Sequence, residues 1–394
     1  MKHSQNYTYD IHGKLHQMSG ESTIHHVKTD LELAEILKTP FQHPILISSD
    51  SQLGQHLCHD EPITNIGDLL GRYCPSATIS VQNLSEAKIE AETWKVSDVE
   101  SCLAENVSQR KHIINCLDLR PPATCENASV PGSLSRLDLL RKSIPHASHT
   151  GRGRSIEGKA FAEFYILSAA GSASAPHADS DGLCTWVRVI QGSKLWFWSQ
   201  QLSKRTKMDT SVIDKTMLMS PPPAWSSIHL KAGDTFLMPP GLQHAVYTPE
   251  DSLCVGGFVL PRSQMINSMR IWAILWLHGD LTNDDLSWSI LNLYSTLLGE
   301  TSSIMMDPDE RAHLYQAAIH LDGILMEKIE PSQFRACLTE KTSWKSAIKR
   351  FHTTVKAVAC LGQENKGQTM VVPLKRAKSN GQAGVPCSNK KARR

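Results

Sequence analysis

The sequence predicts an α+β fold. A double-stranded β-helix, the jelly-roll barrel, stands between an N-terminal mixed α/β region and a C-terminal helical bundle. Three observations predict it. Between Ala162 and Pro261 the chain breaks into many short β runs divided by Gly, Pro and Asp turn signals, the pattern of a closed or doubled sheet. Before that region, helical and strand-like stretches alternate. After it, the apolar period changes to that of amphipathic helices.

In chain order, residues 1–30 are polar and His-rich without periodicity and read as a loose lead-in. Residues 31–159 form the mixed region. Leu31 to Leu37 reads as a short helix, Phe41 to Ser48 and Ala77 to Gln82 as strands, and Ser85 to Glu92 as a helix. Asp98 to Asn115 reads as another helix, capped by Ser97 or Asp98. Asp118 to Gly158, rich in Pro and Gly, reads as a connector that carries the helix SRLDLLRKS. The barrel core occupies 160–262, with the runs FAEFYILS, LCTWVRVI, LWFWS, SSIHL, TFLMP, AVYT and SLCVGGFVL. The helical region is 263–360, with helices over 264–279, 284–299, from Asp307 onward and about 331–357. Asp307, Pro308 and Glu310 supply an N-cap, a first-turn proline and an N3 acid. Trp272, Trp276 and Trp288 read as helix-packing residues. The segment 361–394 is low in apolar residues and reads as a disordered basic tail.

Composition excludes several classes. An apolar content of 40% rules out a disordered chain, and a net charge of +2 rules out nucleic-acid binding by the whole surface. None of the ten cysteines forms a CxxC pair, which argues against a zinc ribbon and for reduced thiols. The N-terminus has no apolar signal core, and no stretch approaches the roughly 20 apolar residues that span a bilayer. No membrane role is expected.

Chemistry concentrates in GSASAPHADSDGLCTWVRVIQGSKLWFW and AGDTFLMPPGLQHAVYTPEDSLCVGGFVLP. Residues two apart on a strand share a face, so His177 and Asp179 can point together from one strand end. His244 arrives from another strand after the PPGLQ turn. Two imidazoles and a carboxylate make a facial triad that leaves metal positions open for a chelating cosubstrate and O2. Nitrogen and oxygen donors without thiolate suit Fe(II), although Mn, Co, Ni or Zn fit the same set. Lys194 shares a face with Trp196 and Trp198. A lysine buried between tryptophans needs an anionic partner, which the distal carboxylate of 2-oxoglutarate would provide, with Ser174 as a second donor. His56/His59 and His146/His149 have helical spacing but no matching partner set, and Cys184 reads as a small core residue.

With these residues in view, 160–262, about a quarter of the chain, resembles the JmjC domains of the cupin superfamily of Fe(II)/2-oxoglutarate dioxygenases. The resemblance rests on the HxD pair His177 and Asp179, distal His244, cosubstrate lysine Lys194, the hydroxyl of Ser174 where the family often has threonine, and the phrase GDTFLMPPGLQH. It is nearest to the fungal single-domain proteins and the nuclear lysine demethylase branch, and it departs at Val187, where that branch often carries tyrosine. It implies Fe(II), 2-oxoglutarate and O2 as reactants and a protein substrate, with histone-lysine demethylation favoured, and a candidate homodimer contact on the C-terminal helices that carry Trp272, Trp276 and Trp288. Side-chain hydroxylation is the alternative within the class, and an inactive nuclear interaction or scaffold protein the alternative outside it.

The tail carries Lys375-Arg376-Ala377-Lys378 and Lys390-Lys391-Ala392-Arg393-Arg394. Two basic clusters on a polar spacer match a bipartite signal for a nuclear import receptor and place the protein in the nucleus. The same charges could touch nucleic acid nonspecifically.

Overall fold

The computed structural model describes residues 23–85, 91–120, 130–140, 163–199, 225–277, 281–282, 286–300, 307–327 and 341–364. The architecture is α+β, with eleven strands in one mixed sheet. Strand β1 (His25–Val27) lies within the expected lead-in and pairs in parallel with β2 (Ile45–Ile47). Helix α1 (Asp30–Leu37) joins them and starts with a capping box between Thr29 and Glu32. Helices α2 (Gln52–His59) and α3 (Ile66–Gly71) follow, each opened by a side-chain cap, Ser51 and Asn65 respectively.

The next stretch corrects two expectations. Residues 91–95 belong to strand β4 (Ala91–Lys95), which pairs with β3 (Thr78–Asn83), so the helix expected over 85–92 does not reach its end; 86–90 lie outside the described residues. The single helix expected over 98–115 is a short helix α4 (Val96–Ala104) followed by strand β5 (Ile114–Leu119). The cap residue is Lys95, with no side-chain bond. Asn106 breaks the helical run: its side-chain oxygen takes the Ser108 N–H and hydroxyl, a local alternative to the helical ladder. Ile114 and Cys116 are then fully buried against the sheet. Helix α5 (Gly132–Leu137) sits N-terminal to most of the SRLDLLRKS segment.

The remaining strands are β6 (Phe164–Ser168), β7 (Ala173–His177), β8 (Cys184–Ser199), β9 (Trp225–Lys231), β10 (Thr235–Met238) and β11 (His244–Val259). LCTWVRVI and LWFWS are one 16-residue strand, and so are AVYT and SLCVGGFVL. These two long strands pair with each other through several register shifts. Each also serves two further neighbours: β10 and β9 on β8, β6 and β7 on β11. The shifts change which side chains share a face. Thr185 and Val187 before them, and Lys194 and Trp196 after them, all line one cavity. The sheet order is β1-β2-β10-β8-β11-β6-β5-β3-β4, so strands of the N-terminal region extend it at both edges.

Helices α6 (Met265–Leu277), α7 (Trp288–Gly299), α8 (Pro308–Met326) and α9 (Lys341–Glu364) complete the described chain. Asp307 caps α8 through the Glu310 N–H at 2.8 Å, as its sequence signature expects. Trp272 and Trp276 stack at 5.4 Å with Trp344 of α9 beside them, inside a large helical core. No helix among the described residues is long and apolar enough to cross a membrane. The basic clusters and His146/His149 lie outside the described residues.

Candidate metal centre

Strand pairing brings the separated signals together. His177, the last residue of β7, lies opposite His244, the first of β11, and Asp179 follows two residues beyond the strand end. The donor atoms of the three lie within 4.8 Å of one another. Asp179 Oδ1 is 3.8 Å from Nε2 of each histidine. Two metal–ligand bonds of about 2.1 Å span roughly 4.2 Å, so one ion can reach the carboxylate and either imidazole.

The histidine tautomers follow from their partners. Nδ1 of His177 lies 2.7 Å from the Ala175 carbonyl oxygen, and Nδ1 of His244 lies 3.0 Å from that of Leu242. A carbonyl oxygen only accepts, so each Nδ1 carries the proton and each Nε2 presents its lone pair. Burial brings His244 down to about 4, with Asp179 opposing that and His177 adding to it, so its ring is neutral at pH 7. Trp196 stacks on the His244 ring at 5.3 Å and 21°. The one thiol lining the cavity, Cys254, is pushed by burial up to about 11, against the pull of Lys194. It remains a thiol, and the donor set stays nitrogen and oxygen. Two imidazoles and a carboxylate on one side of an open cavity fit an Fe(II) ion.

The cavity measures about 100 Å³ and is lined by the triad, Lys194, Trp196 and Ser174 among others. One water needs on the order of 10–15 Å³, so the space suits a small molecule. Lys194 is 3% exposed. Its ammonium donates to Ser168 Oγ at 2.7 Å and Thr248 Oγ1 at 2.8 Å, and no carboxylate among the described residues pairs with it. Burial brings it down to about 8.

Ser174 lies opposite Val246 and lines the same cavity as Lys194. Ser168, Thr248 and Asn115, whose side-chain oxygen accepts from Ser168 Oγ at 2.7 Å, make up the polar chain there. Sequence reasoning did not single these out. Thr248 was findable, because His244, Val246 and Thr248 alternate on one face of a strand. Asn115 was hidden by the helical reading of its segment. His56 and His59 lie on α2 and belong to no metal-capable cluster among the described residues, and Cys184 is fully buried.

No family model matches the chain. It is similar to the JmjC domain-containing histone demethylation protein 1 of Yarrowia lipolytica, 25% identical over 234 residues, covering 55% of this chain and 44% of that protein. The protein of the same name from Candida albicans is 23% identical over 286 residues, 67% of this chain and 58% of the relative. Lysine-specific demethylase 2B of Mus musculus is 31% identical over 121 residues, 28% of this chain and 9% of the relative. The chain thus spans less than two thirds of the length of the curated relatives it matches. With the HxD and distal histidine brought onto one cavity, the chain is similar to JmjC domain-containing histone demethylation proteins in sequence and carries a His-Asp-His set that could hold a metal.

Proposed function

We propose that the chain is an Fe(II)- and 2-oxoglutarate-dependent dioxygenase that removes methyl groups from lysine in a protein, with a histone tail as the favoured substrate. The observation that carries this reading is Lys194. A buried cation without a carboxylate partner is costly, and this one faces the same cavity as three metal-capable donors. A dianion that chelates at one end and offers a carboxylate at the other satisfies both features. The mixed sheet supports the reading as the scaffold that delivers His177 and His244 from neighbouring strands.

His177, Asp179 and His244 would hold the ion through Nε2, a carboxylate oxygen and Nε2. With the cosubstrate and oxygen, iron supplies the oxidation of a C–H bond. The chain's own residues do the rest. The Ala175 and Leu242 carbonyls fix both imidazole tautomers. Lys194, steadied by Ser168 and Thr248, would hold the far carboxylate, and Trp196 keeps the His244 ring in place. Val187, Met238 and Phe258 line the wall and keep bulk water from the reacting centre. The relatives' names support a histone substrate, and the basic tail supports nuclear import.

Incubation with methylated histone peptides, Fe(II) and 2-oxoglutarate should yield formaldehyde, succinate and a peptide lighter by about 14 Da, one CH₂. A peptide heavier by about 16 Da, one oxygen, would reassign the chain as a hydroxylase. Folded protein that never turns over 2-oxoglutarate would support the interaction role instead.

A further inference from the structure

Asp179 accepts no hydrogen bond from the described residues, and its carboxylate lies 3.8 Å from Nε2 of each of the two histidines. A ligand carboxylate so placed takes its direction from its backbone, and that backbone is gripped from both sides. Before it, the Ala178 N–H donates to the Leu281 carbonyl at 2.8 Å. After it, Asp181 accepts the Ser287 N–H on its carboxylate at 2.7 Å. Leu281 and Ser287 both belong to the connector between α6 and α7.

Asp181 is also the one non-glycine residue with positive φ among the described residues, at 65°. This left-handed region is disfavoured for a side chain bearing Cβ, although Asp tolerates it better than most. Gly182 follows at φ 63°, pressed onto α6: a Cβ there would lie 2.7 Å from the Ser268 carbonyl oxygen and 2.9 Å from the Trp272 nitrogen. Asp181 itself is 6% exposed. An outlier backbone, a buried carboxylate and a paired hydrogen bond converge on the turn that carries Asp179.

We infer that Asp181 is a positioning residue for the metal centre: its bond to the α6–α7 connector aims the Asp179 carboxylate and ties the site to the C-terminal helices. The inference rests on the metal reading proposed above. Partners of this kind set metal affinity by about 10–100-fold when removed.

The test is a Co(II) titration of the full-length apo chain, followed by visible absorption, for wild type, Asp181→Asn, Asp181→Gly and His244→Ala. Asparagine keeps an acceptor and tolerates positive φ, so Asp181→Asn should bind within about twofold of wild type, with the same spectrum. Glycine adopts the backbone freely but offers no acceptor, so Asp181→Gly should bind at least about tenfold more weakly, with altered bands and an unchanged thermal transition of the apo form. Wild-type affinity and spectrum in Asp181→Gly would overturn the inference. So would a tenfold loss in Asp181→Asn, which also decides the matter alone if the glycine variant does not fold. A wild type that binds Co(II) no better than His244→Ala would overturn the metal reading itself, and this inference with it, before any Asp181 variant is compared.

Discussion

On the proposed reading, Lys194 is a single residue that gives up stability to hold a ligand. Burial brings its pKa in the folded protein down to about 8, below the ordinary lysine value of 10.5. The unfolded chain therefore binds the extra proton between pH 8 and 10.5, and the burden on folding is fully present below pH 8 and relieved as pH rises through that window. Lys194→Met should accordingly raise the stability of the apo protein at pH 7 by about 1–2 kcal/mol, read by thermal unfolding, while abolishing binding of 2-oxoglutarate to the metal-loaded form. A variant that is less stable and still binds would refute the assignment of the buried ammonium to the cosubstrate. The wild type carries a pH signature as well. Since only the ammonium attracts a carboxylate, the 2-oxoglutarate Kd measured by calorimetry should be flat below pH 8 and weaken by about tenfold per unit above it. Thr248 and Ser168 orient the ammonium without neutralising it, so their loss should weaken binding less than the loss of Lys194.

At the scale of elements, the N-terminal helices are fastened to the sheet by a buried ion pair. Arg188 on β8 is 1% exposed and donates to Glu61 at 2.9 Å, to the Leu57 carbonyl at 3.2 Å and to Thr235 at 3.0 Å. Glu61→Ala removes the carboxylate hydrogen-bonded to that buried guanidinium and should cost about 3–5 kcal/mol in urea unfolding. Adding Arg188→Met should recover most of the loss, and a double variant as weak as the single one would show that packing, not charge, fastens the helices. The same residues show what was legible beforehand. Alternation in β8 and β11 and the capping signature at Asp307 are local patterns, and each maps onto the element it suggests, whereas the HxD spacing leaves His177 at the end of β7 and Asp179 beyond it. The ladder joining β5 to β6 is a contact between residues about fifty positions apart, so nothing near Asn115 could announce it; helix propensity filled the gap until Asn106 and burial overrode it. Likewise, the fusion of LCTWVRVI with LWFWS depends on register shifts against β11 that only the partner strand reveals.

The whole molecule places the metal-capable turn where sheet and helices meet, and its integrity therefore depends on α9, a helix that contributes no donor to the site. Trp344, Phe351, Val355 and Val358 of α9 are each at most 7% exposed, and Trp344 lies 5.1 Å from Trp276 and 6.2 Å from Trp272. Burying four such side chains contributes on the order of 1.5–3 kcal/mol each, together comparable with the 5–15 kcal/mol that separates most folded domains from unfolding. A chain ending at residue 340 should then lose order in α6 to α8, with a lower Tm, binding of a hydrophobic dye and weakened Co(II) affinity, because α6 presses on Gly182 and its connector grips Ala178 and Asp181. A chain ending at residue 364 keeps α9 and removes only the basic clusters. It should match the full chain in Tm and Co(II) affinity while a fluorescent fusion no longer accumulates in the nucleus. If the shorter truncate instead keeps both its Tm and its metal affinity, the helices are an appendage, and the coupling from Trp344 through Trp272 to the Asp179 turn does not operate.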